Sequence, residues 1–483
     1  MTAASSVIVE PSIPTPPRFR WLKRWLALTA LLIVVLCFAW LWWNHVANRQ
    51  LGQAKDAVRA RHEPIDPEDF NPAPLPPERN AAALLQSAAS AVASNVDSPS
   101  MSNYTFNDAP PYTPLWYALA NTAVAADGRA LALARQARAI DSADWGWRFH
   151  TPVALAFFGA FNSQRNLANL LGDAALHAHV HGDDAEAIER VLDELHQSEI
   201  VSNGQGLLIG RLVGIGVEAI AVERIEVLAP GLHISGAAFN PPPATMPTMA
   251  VRREVIVALI KQLLDDRSEH EGIRHAILGE RMAVLDLIRD SGTHSYILGP
   301  LFNLEIAHVI TAFDEDIRAA LQTNLPASIK APSTPPGFLP SRERSRLTRI
   351  MSTALEPAFN RYVLSERRVL SDRFCAAISL AAQLYRVDHG ALPADLAALV
   401  PAYLPAVPRN PVLDDGSLME YIALKGTPPG AADRPMITFV SDTPAPAAAN
   451  APATPQYGWT AGNRQWRDVT RWEPPAPATA PAE

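Results

Sequence analysis

Residues Leu380–Pro411 read LAAQLYRVDHGALPADLAALVPAYLPAVPRNP, and they join two different kinds of chain. Upstream, Phe359, Val363, Leu370, Phe374, Ile378, Ala381 and Tyr385 fall on one face of a helix of roughly thirty residues starting near Pro357. Gly390 ends that helix, because glycine adopts the left-handed conformation of a C-terminal stop without steric cost. Pro393 suits the first turn of a short helix over Ala394–Val400, and Pro401, Pro405, Pro408 and Pro411 then hold the chain extended. DDGS follows as a turn, with Asp414 and Asp415 as turn formers; LMEYIAL and MITFVS read as strands, and RQWRDVTRW as a third. A long helix is expected to feed a small antiparallel sheet.

Tyr385, Asp388, Gly390, Pro393, Leu396, Leu399, Val400, Tyr403, Leu404, Pro408, Pro411 and Tyr421 carry a resemblance. The stretch from Ser371 to Ser441 resembles the type II secretion major pseudopilins, in which a Y-x-x-D-x-G-x-x-P helix end leads through a leucine-rich turn and a proline to a sheet. The whole chain is similar to large membrane-anchored bacterial proteins with a helical middle and such a module at the C-terminal end. The resemblance implies a pseudopilin-like α+β module and a link to secretion or pilus-like assembly. It does not extend to a prepilin-peptidase site, and no calcium-binding loop is carried over.

At the other end, Trp25–Trp43 reads WLALTALLIVVLCFAWLWW without a charged residue. As a helix it is about 28 Å long, close to the hydrocarbon thickness of a bilayer. Trp21 and Trp25 at one end and Trp40, Trp42 and Trp43 at the other suit the two interfaces, where the ring is apolar and the indole N–H stays wet. No cleavage signature surrounds Cys37, so an anchor is expected, not a removed leader. Arg18, Arg20, Lys23 and Arg24 cluster tightly before the helix, which predicts a cytoplasmic N-terminus and a periplasmic or external bulk.

Proline-rich runs divide the remainder. Residues 1–20 read as a disordered cytoplasmic tail, 21–43 as the transmembrane helix, and 44–77 as a juxtamembrane segment with a stiff spacer, PIDPEDFNPAPLPP, lifting the next domain off the bilayer. Residues 78–325 form an all-α helical-hairpin domain, 326–340 a linker, and 341–472 the long helix and sheet with a Pro/Ala-rich insertion at 443–455; 473–483 is a second disordered tail. Apolar residues recur at three and four positions over 80–92, 129–140, 153–180, 184–200, 204–227, 250–289 (broken) and 301–321, all predicted helices. In HVHGDDAEAIERVLDEL, Gly182 ends one helix and Asp183 or Asp184 caps the next.

The net charge of −8 shows no basic excess, so nucleic acid is not an expected partner; arginine far outnumbers lysine but is scattered. Two cysteines, Cys37 in the apolar span and Cys375, exclude a disulfide framework within a domain. In HAHVHGDD, His177 and His181 share a helix face while His179 points away, which disfavours a metal site. His270 and His275 are five apart, where a zinc-protease helix needs four. Gly206, Gly210 and Gly214 fit close helix packing better than a dinucleotide loop. Trp145, Trp147 and His150 form the densest aromatic and polar group and read as packing.

No catalytic motif emerges, and no catalytic, cofactor or metal residue is assigned. The expected fold is mainly α: one transmembrane helix, an all-α domain and a C-terminal α+β module. The expected function is an envelope scaffold whose partners are the lipid bilayer and envelope proteins. The alternatives are a hydrolase-like envelope enzyme with its site in the helical domain, and a peptide-binding helical platform.

Overall fold

The computed structural model describes residues 19–71, 73–92, 114–150, 158–204, 206–239, 249–292, 298–320, 350–411, 416–424, 434–440, 456–460 and 463–468. The expected tails, the linker 326–340, the insertion 443–455 and the Asp414–Asp415 turn lie outside them. The described chain is mainly helical: α1 (Arg20–Ala60), α2 (Ala81–Ala91), α3 (Pro114–Ala126), α4 (Gly128–Ala137), α5 (Phe158–Val180), α6 (Asp184–Ser202), α7 (Leu208–Leu228), α8 (Arg253–Leu264), α9 (Arg267–Gly292), α10 (Gly299–Ala320) and α11 (Ile350–His389). Four strands, β1 (Glu420–Leu424), β2 (Arg434–Val440), β3 (Gln456–Thr460) and β4 (Asn463–Asp468), pair antiparallel in chain order, with Tyr421 opposite Ile437 and Ile437 opposite Trp459.

α1 is longer than a membrane crossing requires. It is the one helix among the described residues long and apolar enough to cross a membrane, with a mean hydropathy of 2.4 over its most apolar stretch and none of that stretch buried. Its last turns are different: Ala47 and Val58 are fully buried, and α10 packs along them. The juxtamembrane segment expected beyond Trp43 is therefore helix as far as Ala60.

The residues after α1 do not act as a spacer. Ile65 and Phe70 are buried in the domain core, and the turn Pro67–Phe70 lies against α9. Asp66 at its start pairs with Arg289 of α9 at 2.6 Å. Proline stiffness allowed an extended spacer, but two apolar side chains and one carboxylate with partners on α9 favour folding back over standing in water.

The helical hairpins form much as periodicity predicts. Gly182 takes φ +80°, Asp183 is the N-cap of α6, and its carboxylate accepts the Glu186 N–H at 2.9 Å. The expected long helix over 250–289 is broken at Asp265, which joins α8 to α9. α3 has no counterpart in the sequence reading, although Trp116, Ala120, Ala123 and Val124 lie along one of its faces and Pro114 stands at its first position.

α11 departs most from expectation. The periodicity predicts one apolar face, yet Glu366, Arg367, Ser371, Asp372, Arg373 and Gln383 on its other faces are buried as well. α7, α8 and α10 all pack against it. Tyr362, Val363 and Val369 join the core built by α1, α2, α4, α9 and α10, whereas Leu370 through Val387 join the core of α5–α8. The helix assigned by its prolines to a separate C-terminal unit is thus the shared core of the helical domain. Its polar side chains can be buried because ion-pair partners wait on neighbouring helices, as described next.

Candidate functional site

A cavity of about 400 Å³ opens between α6, α7, the end of α8 and α11. Ser198, Glu199 and Ser202 line it from α6, Arg211 and Glu218 from α7, Lys261 and Gln262 from α8, and Arg373 from α11. α6 and α7 are brought close by a glycine: a Cβ at Gly214 would stand 1.9 Å from the Ser202 hydroxyl, so only glycine admits this approach. Ser198 Oγ donates to the Gly214 carbonyl at 2.9 Å across the same contact.

The cavity is charged but internally balanced. Arg211 makes a two-pronged ion pair with Glu366 of α11, at 2.7 Å from Nε and 3.0 Å from Nη2, with both side chains almost wholly buried. Arg373 Nε lies 3.2 Å from Glu218, and its Nη2 donates to the Gln262 and Asp265 carbonyls at 3.0 and 2.6 Å. These carbonyls lie at the C-terminal end of α8, where Gln262 also accepts the Asp265 N–H, so Arg373 adds a side-chain cap to that end. Burial pushes the Glu218 carboxyl above its ordinary value, against the pull of Arg373 and Arg211. Glu199 and Lys261 stand exposed at the rim. The site can present opposite charges to a small polar ligand. Ser198 donates to a carbonyl, where the nucleophile of a serine enzyme donates to a base.

A second polar cluster gathers Arg253, Asp388 and Tyr403. Arg253 of α8 forks onto Asp388 at 2.8 and 2.5 Å, and the Tyr403 hydroxyl donates to the same carboxylate at 2.8 Å. Hydrogen bonds from Arg253 hold Asp388 below the usual carboxylate range, while burial and the Asp388 charge push the Tyr403 phenol up to about 12. Tyr385 stacks on His389 with 4.1 Å between ring centroids, and Gly390 takes φ +76°. The Phe239 N–H donates to the Val387 carbonyl at 2.9 Å. These residues act together as a clasp between α8, the end of α11 and the leucine-rich turn Leu396–Leu399.

The histidines separate as helical geometry requires. The His177 and His181 rings lie 4.2 Å apart, tilted by 35°, with His177 Nε2 meeting Asn121 Oδ1 at 2.7 Å. His179 turns away to Asp184, Nδ1 to Oδ1 at 2.5 Å, and His233 binds the other carboxylate oxygen through both its backbone N–H and Nδ1, at 2.7 and 2.8 Å. Burial raises the Asp184 carboxyl, but these hydrogen bonds outweigh it and hold the group below its ordinary value. Among the described residues no three His, Cys, Asp or Glu side chains are placed to hold a metal ion.

His270 and His275 also part: His270 bonds the Asp266 carbonyl, and His275 packs on Phe70 and Gly206. Trp145 is buried, stacks on Trp147 at 5.6 Å and donates to the Ile200 carbonyl, while His150 is exposed. Sequence reasoning missed Arg211, Glu218, Glu366 and Arg373, which are far apart in the chain and converge only through helix packing. The one signal was charge at positions of long helices that periodicity would leave to solvent. No protein-family model matches the chain, and neither does any curated protein or solved structure.

Proposed function

We propose that the protein is a single-pass membrane protein with a cytoplasmic N-terminus, whose periplasmic or external domain serves as an envelope scaffold linked to a secretion or pilus-like assembly. The observation that carries this reading is the join between α1 and the domain. α1 runs from its apolar stretch into the core without a break, and the residues just beyond it are held by ion pairs to α9 and α10. A rigid join of this kind fixes a domain at a set height over a bilayer, which positions partners and does little for catalysis. Arg20, Lys23 and Arg24 before the apolar stretch favour the orientation. The link to secretion rests on the pseudopilin-like stretch from Ser371 to Ser441 alone.

The second reading is an envelope enzyme using the cavity between α6, α7, α8 and α11. The cavity favours it, but Arg211 and Arg373 are both committed to ion pairs within the fold.

The test is affinity capture of the detergent-solubilised chain, intact or lacking residues 412–483, with partners identified by mass spectrometry. This shorter truncation keeps α11, whose removal would strip the core. Loss of secretion or envelope components on truncation supports the scaffold. Equal or empty partner lists overturn recruitment by the C-terminal module and shift attention to ligands of the cavity.

A further inference from the structure

α10 runs parallel to α1. The Asn303 amide donates to Asn48 Oδ1 at 2.7 Å, and Arg61 forks onto Asp314 at 2.8 Å to each oxygen. Both contacts advance together along the two helices, so positions on one translate into heights on the other. Leu298, just ahead of α10, lies about 7.5 Å below Asn303 along the axis, and Trp43 lies about 7.5 Å below Asn48. Leu298 and Trp43 are therefore level.

α9 supports the same geometry. Arg281 pairs with Asp314 at 3.0 Å and Arg289 with Asp66 at 2.6 Å, and Lys55, half-buried in the last turns of α1, feels the charges of Arg289 and Asp66. α9 thus runs antiparallel to α10, which itself packs along α1, and the start of α10 lies toward the apolar stretch of α1. At that end Leu298 is 45% exposed and Trp43 is 39% exposed, whereas Ala47, one helical turn above Trp43, is fully buried. The domain covers α1 down to the edge of its apolar stretch, where Leu298 and Trp43 are left partly exposed.

We infer that the start of α10, at Leu298, is a second membrane contact of this protein, inserted at the interface of the same bilayer that α1 crosses. The inference rests on reading α1 as a membrane span. The headgroup zone on each face of the hydrocarbon is several ångströms deep. A leucine level with an interfacial tryptophan sits at its inner boundary, where apolar side chains gain by leaving water. Two contacts, the span and the start of α10, also prevent the domain from swivelling about α1. The occupant is lipid because Leu298 stands at the height of Trp42 and Trp43, 72% and 39% exposed, which the span reading places at the bilayer interface.

The experiment uses the full chain in phosphatidylcholine vesicles. Cys37→Ala removes the exposed thiol; Cys375 is fully buried and stays. Single cysteines at Leu298, at Val34 in the apolar stretch and at Arg318 are labelled with an environment-sensitive fluorophore and quenched by nitroxide-bearing lipids. Arg318 is exposed on the same helix, about 30 Å further from the bilayer. The expected result is strong quenching at 34, quenching at 298 several-fold above that at 318, and a blue-shifted emission at 298. Lipid quenching at 34 with 298 no different from 318 would overturn the inference and leave the span standing. A blue shift at 298 without lipid quenching means a protein covers the patch, which also overturns it. No lipid quenching at 34 means that α1 is not a span, and both readings fall.

Discussion

Glu63, just past the end of α1, lies 3.2 Å from the guanidinium of Arg281 on α9, whose side chain is completely buried. The same guanidinium reaches Asp314 at 3.0 Å and the Pro64 carbonyl at 3.0 Å, and Glu63 also receives Arg61 and Arg274. Burial alone would push Glu63 up, but its three arginines hold it below the usual carboxylate range. The end of α1 is tied here to the middle of α9 and to α10, three parts of the sequence far apart.

Removing one partner of such a buried pair strands the other. Arg281→Met should cost about 3 kcal/mol or more, and Glu63→Gln somewhat less because Asp314 remains. The double variant should lose less than the sum. Denaturant melts of the detergent-solubilised chain measure all three, and additive losses would show that the two residues do not interact.

Two glycines of α7 should answer an alanine scan with opposite signs. A Cβ at Gly214 meets Ser202 Oγ at 1.9 Å and Ser202 Cα at 2.9 Å, whereas one at Gly216 meets nothing within 4 Å. Gly216→Ala is expected to stabilise by about 0.5–1 kcal/mol through helix propensity. Gly214→Ala must push α6 from α7, costing roughly 1–3 kcal/mol and closing or reshaping the cavity. Paired thermal melts check the signs.

The carboxylates buried between α5, α6 and α7 make stability fall with rising pH. Neither Glu194 oxygen has a hydrogen-bond partner among the described residues, and burial raises its carboxyl well above the ordinary value. Asp173, 3.5 Å from Arg224, is raised from 3.8 to about 6, again by burial. Groups raised on folding bind more protons in the folded state, so no penalty exists below the unfolded value and it accumulates as pH climbs through the folded one. For Asp173 the full penalty is about 3 kcal/mol at most. Glu194→Gln should raise Tm at pH 8 and leave it unchanged at pH 4; an equal shift at both would remove titration as the cause.

Asp388 should show the opposite dependence. Its carboxyl is lowered on folding, so its contribution is present above the unfolded value and lost as pH falls toward the folded one. Arg253 and Asp388 are each about a third exposed, which limits Asp388→Asn to about 1 kcal/mol at pH 7 and to nothing near pH 2. A wild-type-minus-variant difference that grows on acidification would contradict the assignment of Arg253 as the main partner.

The long apolar helix, the hairpins α5–α6–α7 and the stop at Gly390 were legible in the sequence, since each is written in neighbours within a few turns: a charge-free apolar run, a three-to-four period, a glycine able to take positive φ. Glycine spacing over 206–214 also pointed to close packing, and Gly214 against Ser202 is such a contact. What tertiary structure alone decided was where charge could be hidden. Periodicity assigns Glu366, Asp372 and Arg373 to water, yet Arg211 and Glu218, far away in the chain, give Glu366 and Arg373 buried partners and let α11 become the core. The proline-rich run after α1 looked like a spacer for the same reason. A local pattern records stiffness, while the energy of burying Ile65 and Phe70 and pairing Asp66 with Arg289 depends on a helix more than two hundred residues later.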